Sequence, residues 1–355
     1  MRVATIRGPN VGLVCTNHAF SPYNSIMRAT STSIYKQLLP GLFLGIIVLI
    51  GLVILAGLTQ VGEQITAFHW INFALAVALN FLAQSMRFLK RAINLNKSGV
   101  KNVNLLESMR LFVACMPLSV TPSRIEESFK GIWLFKKSGI PVERAISVFY
   151  VDQISDGLSV FALMVIGTIA YPSLWPLFAG LFLAFLAVLV YFKIPRSDSR
   201  TSVVSDKVPV LKRIIPQMRE SIEANPSLFS VANLLITCLL GMLAWAAEGT
   251  ALFVILRGLD FTPTLHLVAT SVLVFAFSAT VSIASRLPGG LGIMEVAMAL
   301  LLTLLLNFQP EKAVTATVLF RLATFWVTFI CGIILWSMTG KSLGIHNQEG
   351  RIIES

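Results

Sequence analysis

Long apolar runs constrain this chain more than any motif in it. Leu38 to Leu58, Ala67 to Met86, Ala145 to Ala170, Leu174 to Phe192, Leu228 to Leu256, Thr264 to Ala284, Leu291 to Phe308 and Ala313 to Met338 are close to membrane length. A helix needs roughly 20 apolar residues to cross about 30 Å of hydrocarbon. Lipid offers no partner to a bare N–H or C=O, so open sheets and irregular spans are excluded. The chain is therefore expected to be an all-α integral membrane protein with about eight transmembrane helices. Composition agrees, with 55% of residues hydrophobic and 13% charged, outside the range of ordinary soluble domains.

The net charge of +11 sits in short segments between the apolar runs. There it reads as an orientation signal and as contacts for anionic lipid, not as a nucleic-acid surface. Segments 59–66 and 171–173 hold no Lys or Arg, whereas 87–101 and 193–227 are strongly basic. A first span that starts inside then leaves both termini cytoplasmic. Within 193–227, Leu211, Ile214, Ile215 and Met218 follow helical spacing beside Lys212, Arg213 and Arg219, as in a helix lying on the membrane surface. Residues 1–37 form a basic tail of a composition shared with organellar transit peptides, and Met27 offers an alternative start. Residues 339–355 form a second cytoplasmic tail. Cys115, Cys238 and Cys331 lie in apolar runs without CxxC or CxxH spacing, so no disulfide framework, metal site or cofactor is indicated.

Val103 to Val120 is a poor simple span, because it contains Glu107 and Arg110 and is broken by Pro117 and Pro122. The basic segment 121–144 belongs inside, which a single crossing by this stretch would forbid. A re-entrant hairpin turning at Pro117 to Pro122 resolves the conflict, and such backbone survives at depth only where protein or a water-filled cavity covers it.

An inverted repeat is also expected. The stretch from Pro141 aligns with that from Pro310 through a shared Pro, Glu and basic-Ala pair, setting Gln153 opposite Arg321 and Asp156 opposite Thr324. Each copy follows a Pro-containing break, and in the topology above the two run in opposite directions. Broken helices in inverted repeats line the midplane sites of alternating-access transporters.

Ionisable groups inside apolar runs cost about 2.5–3.5 kcal/mol each on insertion scales, so they face partners or cavities. Here they include Glu107, Arg110, Asp152, Asp156, Glu248, Arg286, Glu295 and Arg321. The most specific segment is Ser285-Arg286-Leu287-Pro288-Gly289-Gly290-Leu291-Gly292-Ile293-Met294-Glu295. A helix beginning near Leu291 would aim free N–H groups and the positive end of its dipole at an anion. Arg286 would add a charge suited to a pair of phosphate oxygens. The glycines match neither GxGxxG nor a Walker motif.

Pro288-Gly-Gly-Leu-Gly-Ile-Met-Glu295, Arg321, the Asp156 helix and Leu243-Ala-Trp-Ala-Ala-Glu-Gly249 resemble the flippase-like transmembrane family. That family includes the membrane half of lysylphosphatidylglycerol synthase, the multiple peptide resistance factor. The resemblance covers residues 38–338 and implies a bacterial inner-membrane protein without the aminoacyl transferase domain. It departs from the pattern at Pro122-Ser-Arg-Ile-Glu126-Glu127 and at Gln153, where relatives often carry Pro-Gly with Gly-Glu, and Arg. The implied function is translocation of a phosphate-bearing lipid with an anionic headgroup, such as an aminoacylated phospholipid or a polyprenyl-phosphate-linked sugar. Arg286, Pro288, Gly289, Gly290, Gly292, Glu295 and Arg321 would face Arg124, Glu126 and Asp156 across the site. The alternatives are a lipid-modifying enzyme using Glu126, Asp156 and Glu295, or an accessory subunit of a separate lipid synthase or glycosyltransferase. The scattered histidines His18, His69, His266 and His346, and the lack of a nucleophile elbow, favour a non-enzyme.

Overall fold

The computed structural model describes residues 31–100, 103–121, 125–139, 142–167, 171–176, 221–285 and 287–339, with isolated positions at 179–180 and 183. Among these residues every element is helical and no strand is present. The helices are α1 (Ser31–Ala56), α2 (Leu58–Ala67), α3 (Trp70–Lys97), α4 (Leu105–Ala114), α5 (Ile125–Ser138), α6 (Val142–Gly167), α7 (Val231–Gly258), α8 (Leu265–Ser285), α9 (Ile293–Leu306), α10 (Pro310–Arg321) and α11 (Val327–Thr339). Short 3-10 turns occur at Met116–Val120, Pro172–Leu174 and Pro288–Gly290, and a π-helical turn, Leu322–Trp326, joins α10 to α11.

Six segments are long and apolar enough to cross a bilayer: Leu38–Ala56, Trp70–Lys97, Ser147–Gly167, Val231–Gly258, Leu265–Ser285 and Pro310–Met338. Most of the expected span Leu174 to Phe192 lies outside the described residues, as do the surface helix near Leu211 and most of both tails. The expected second span needs correction. It does not stop at Met86 but continues as α3 to Lys97, carrying Arg87, Lys90 and Arg91 within the helix. Helical spacing explains this, because each of these cations finds a carboxylate on a neighbouring helix.

The expected break after Val103 is present. α4 has 10 residues and α5 has 14, each shorter than a crossing needs. The turn between them is covered by protein: Leu118 and Val120 are buried, and a Cβ on Gly332 of α11 would lie 2.5 Å from the Pro117 ring. α9 is also short at 14 residues, about 21 Å at 1.5 Å per residue. Its turn, Pro288–Gly290, packs on the Met116–Val120 turn, where a Cβ on Gly289 would lie 3.3 Å from Val120 Cγ2. The two breaks in the helical pattern therefore meet inside the bundle.

α7 and α8 form the centre, with α3, α6, α9 and α10 around them. α7 and α8 approach closely because a Cβ on Gly249 would lie 2.9 Å from the Val272 backbone, the small-residue packing typical of membrane helices. α1 lies at the periphery and turns Phe43, Ile47, Ile50 and Leu55 outward, as a lipid-facing surface does. At one end the His69 amide donates to Gly258 O at 3.0 Å, Phe261 stacks on Phe308 at 3.9 Å, and Tyr171 OH donates to Leu305 O at 2.9 Å. Segments expected to share one side of the membrane thus converge at one end of the bundle.

Candidate functional site

A cavity of about 360 Å³ lies among α3, α5, α6, α7, α8 and α10, roughly midway along the long helices. Its wall combines Trp245, Phe275, Phe320 and Phe325 with a concentration of charge. Arg87 of α3 and Glu248 of α7 form a two-pronged pair, Nη1 to Oε1 at 2.5 Å and Nη2 to Oε2 at 2.6 Å. The Arg87 guanidinium also lies 5.2 Å from the Trp245 ring centroid. Lys90 reaches Asp156 Oδ1 at 2.7 Å and Asp152 O at 3.3 Å. Arg91 Nε lies 4.0 Å from Asp152 Oδ2, and Asn94 donates to Asp152 Oδ1 at 2.8 Å. Lys130 pairs with Glu126 one turn earlier on α5. The pairs that join α3 to α6 and α7 tie those helices together, because removing one member strands a buried charge.

Arg321 closes the wall from α10. Its Nε donates to Glu295 Oε1 at 2.5 Å, its Nη1 lies 3.4 Å from Met294 Sδ, and its plane stacks 4.5 Å from the Phe325 centroid. Its Nη2 is buried and finds no hydrogen-bond partner. A stranded buried donor costs about 1–3 kcal/mol, more when charged, so this orphan is a group the fold keeps at a cost. The π-helical turn directly after Arg321 is a feature that concentrates at functional sites. The Val327 amide reaches back five residues to Leu322 O, while Asn80 of α3 donates to Thr324 O at 3.2 Å and to Thr328 Oγ1 at 2.8 Å. The turn brings Arg321, Thr324, Phe325 and Thr328 onto the cavity wall, and Asn80 ties it to α3.

Of the residues singled out from sequence, Glu126, Asp152, Asp156, Glu248 and Arg321 line this one cavity. Glu295 stands behind Arg321 rather than at the cavity surface and is 1% exposed. Its second oxygen accepts the Gly292 amide at 2.7 Å, so the amide just before α9 is taken by the helix's own third residue. Pro288, Gly289 and Gly290 form the turn that feeds this cap. Gly289 and Gly290 have φ of 60° and 64°, a region that favours glycine. Arg286 and Arg124 lie outside the described residues. Glu107 pairs with Lys137 at 3.1 Å near the surface, and Arg110 is exposed, so neither belongs to the cavity.

Sequence reasoning missed Arg87, Lys90 and Arg91. A signal was available: Asn80, Gln84, Arg87, Arg91 and Asn94 recur at three- and four-residue steps and so share one helix face. A cytoplasmic flank has no reason to continue a polar stripe that begins inside the apolar run.

A family model described as lysylphosphatidylglycerol synthase TM region matches residues 42–332. The chain is also similar to a UPF0104 membrane protein of Methanothermobacter thermautotrophicus, 20% identical over 311 residues, which cover 83% of this chain and 91% of the relative. The matched segment contains every residue that lines the cavity, and the chain belongs to the family of the lysylphosphatidylglycerol synthase TM region.

Proposed function

We propose that this chain holds the phosphate of a membrane lipid headgroup in the mid-depth cavity and carries that headgroup between leaflets, leaving the acyl or prenyl tail in lipid. The observation that carries this reading is the Arg321 guanidinium, buried on the cavity wall with Nη2 unpartnered. Guanidinium edges match phosphate oxygens in geometry and charge. Two further observations support it. Gln153 and Asp156 of the first half, set opposite Arg321 and Thr324 by the internal match, line the same cavity as those partners. The two interrupted elements, Met116–Val120 and Pro288–Gly290, touch beside it, as expected of oppositely oriented halves that rock about a shared site. In this reading Glu295 and Gly292 position Arg321, and Arg286 and Arg124 guide the headgroup at the basic end. The protein is multi-pass, with its basic segments and both termini on the cytoplasmic side. The chemistry is binding and release rather than bond making.

Purified protein in liposomes should move an acyl-labelled fluorescent phospholipid between leaflets, read by dithionite quenching. Arg321→Ala should slow that movement at least about ten-fold while the thermal unfolding profile is retained. An unchanged rate in a folded Arg321→Ala protein removes the assigned role.

A further inference from the structure

We infer that the cavity selects a zwitterionic headgroup, one phosphodiester oxyanion together with one ammonium, over a purely anionic one; this rests on the headgroup-binding reading above and narrows it. Two independent features point to it. The first is charge balance. Among the described residues, each cavity cation faces its own carboxylate: Arg87 has Glu248, Lys90 has Asp156, Arg91 has Asp152, Lys130 has Glu126, and Arg321 has Glu295. The described lining of the cavity is therefore electrically neutral before a ligand arrives. A net-negative ligand would leave an uncompensated charge at bilayer depth, where charge is expensive. A net-neutral ligand leaves none.

The second feature is a matched free donor and free acceptor. Arg321 Nη2, on the second half of the chain, is a buried donor without a partner. Asp156, on the first half, accepts from Lys90 and Trp245 through Oδ1 alone. Its Oδ2 has no hydrogen-bond partner among the described residues, and the side chain is 26% exposed, more than Asp152 at 14% or Glu248 at 10%. Two residues that line one cavity thus carry an unpartnered cationic N–H and an unpartnered carboxylate oxygen, each on a different half of the chain. A ligand carrying both charges satisfies both groups, whereas an anion satisfies one and adds repulsion at the other. The neighbouring Thr328 hydroxyl accepts from Asn80 and keeps its own proton to donate to a second phosphate oxygen.

The test is equilibrium binding to the full chain, purified in detergent and stripped of lipid, with tryptophan fluorescence as the readout because Trp245 lines the cavity. The probes are dihexanoyl phosphatidylethanolamine, dihexanoyl phosphatidylglycerol and inorganic phosphate. The ethanolamine lipid should bind about ten-fold more tightly than the glycerol lipid, the worth of one charge-assisted hydrogen bond. Inorganic phosphate should fail to displace it. Asp156→Asn should shrink the preference to within about two-fold, and Arg321→Ala should weaken both lipids by about ten-fold or more. Equal or tighter binding of the glycerol lipid by the unmodified protein overturns the inference, and so does displacement by inorganic phosphate at matching concentration, which would make this a free-anion site. A folded Asp156→Asn protein that keeps the full preference overturns it too. If that variant does not fold, the lipid ratio of the unmodified protein decides alone. Absence of lipid movement in liposomes with the preference intact would sink transport and leave the selectivity standing, whereas movement without any preference would do the reverse.

Discussion

At the scale of single residues, the cavity is a place where charge is retained at a cost and every member has a stated partner. Arg87 is a direct case. Truncating it to Ala leaves the Glu248 carboxylate buried and unpaired, which should destabilise the protein by about 3–5 kcal/mol. Replacing both members together, Arg87→Met with Glu248→Leu, should recover most of that loss, because an apolar pair of similar volume avoids desolvation altogether. Thermal unfolding in detergent of the two single variants and the double variant checks this. A double variant no more stable than the singles would mean that the pair is not the reason for the cost. Gly290 makes a second prediction. A Cβ there would lie 1.7 Å from Ser282 Oγ at a φ of 64°, so Gly290→Ala should lose about 1–2 kcal/mol from backbone strain alone and more from the clash. Gly289→Ala, whose Cβ would meet Val120 at 3.3 Å, should lose less.

At the scale of elements, the π-helical turn Leu322–Trp326 decides what faces the cavity. A π-helical turn amounts to one residue inserted into an α-helix. Deleting Ala323 should therefore restore a regular helix from α10 through α11 without disturbing either end. The fold should persist by circular dichroism. Arg321 and Thr324 should no longer be presented together, and lipid movement should fall at least about ten-fold. Retained transport in the deletion variant would show that the turn is only a packing adjustment. The elements also show where sequence reading was sufficient and where it failed. Short, Pro-bounded α4 was legible as half a crossing because its length and charges disqualified it as a span. The last third of α3 was not, because a cluster of Arg and Lys after an apolar run looks the same whether water or a buried carboxylate receives it. Only the polar stripe from Asn80 to Asn94 separates the two cases.

At the scale of the whole molecule, two interrupted helical elements meet beside one charge-rich cavity, and movement of one half against the other would have to pass through that contact. Crosslinking Val120→Cys to Gly289→Cys, in a protein whose own cysteines are replaced, should arrest lipid movement, and reduction should restore it. Full activity in the crosslinked state would place the moving surface elsewhere. The sequence alone determined the solvent. Apolar runs of membrane length leave the backbone no choice but helix, and Pro and Gly among them mark where helix must stop, since both are local effects of hydrogen bonding and sterics. It also marked Asp152, Asp156, Glu248, Glu295 and Arg321 as costly to bury. What only the tertiary structure decided is pairing. Whether Glu295 meets a ligand or supports Arg321, and whether Arg87, Lys90 and Arg91 face water or Glu248, Asp156 and Asp152, depends on which side chains the packing brings within about 3–4 Å of each other. Coulomb and hydrogen-bond energies are set by that separation, and no spacing along a single helix encodes it.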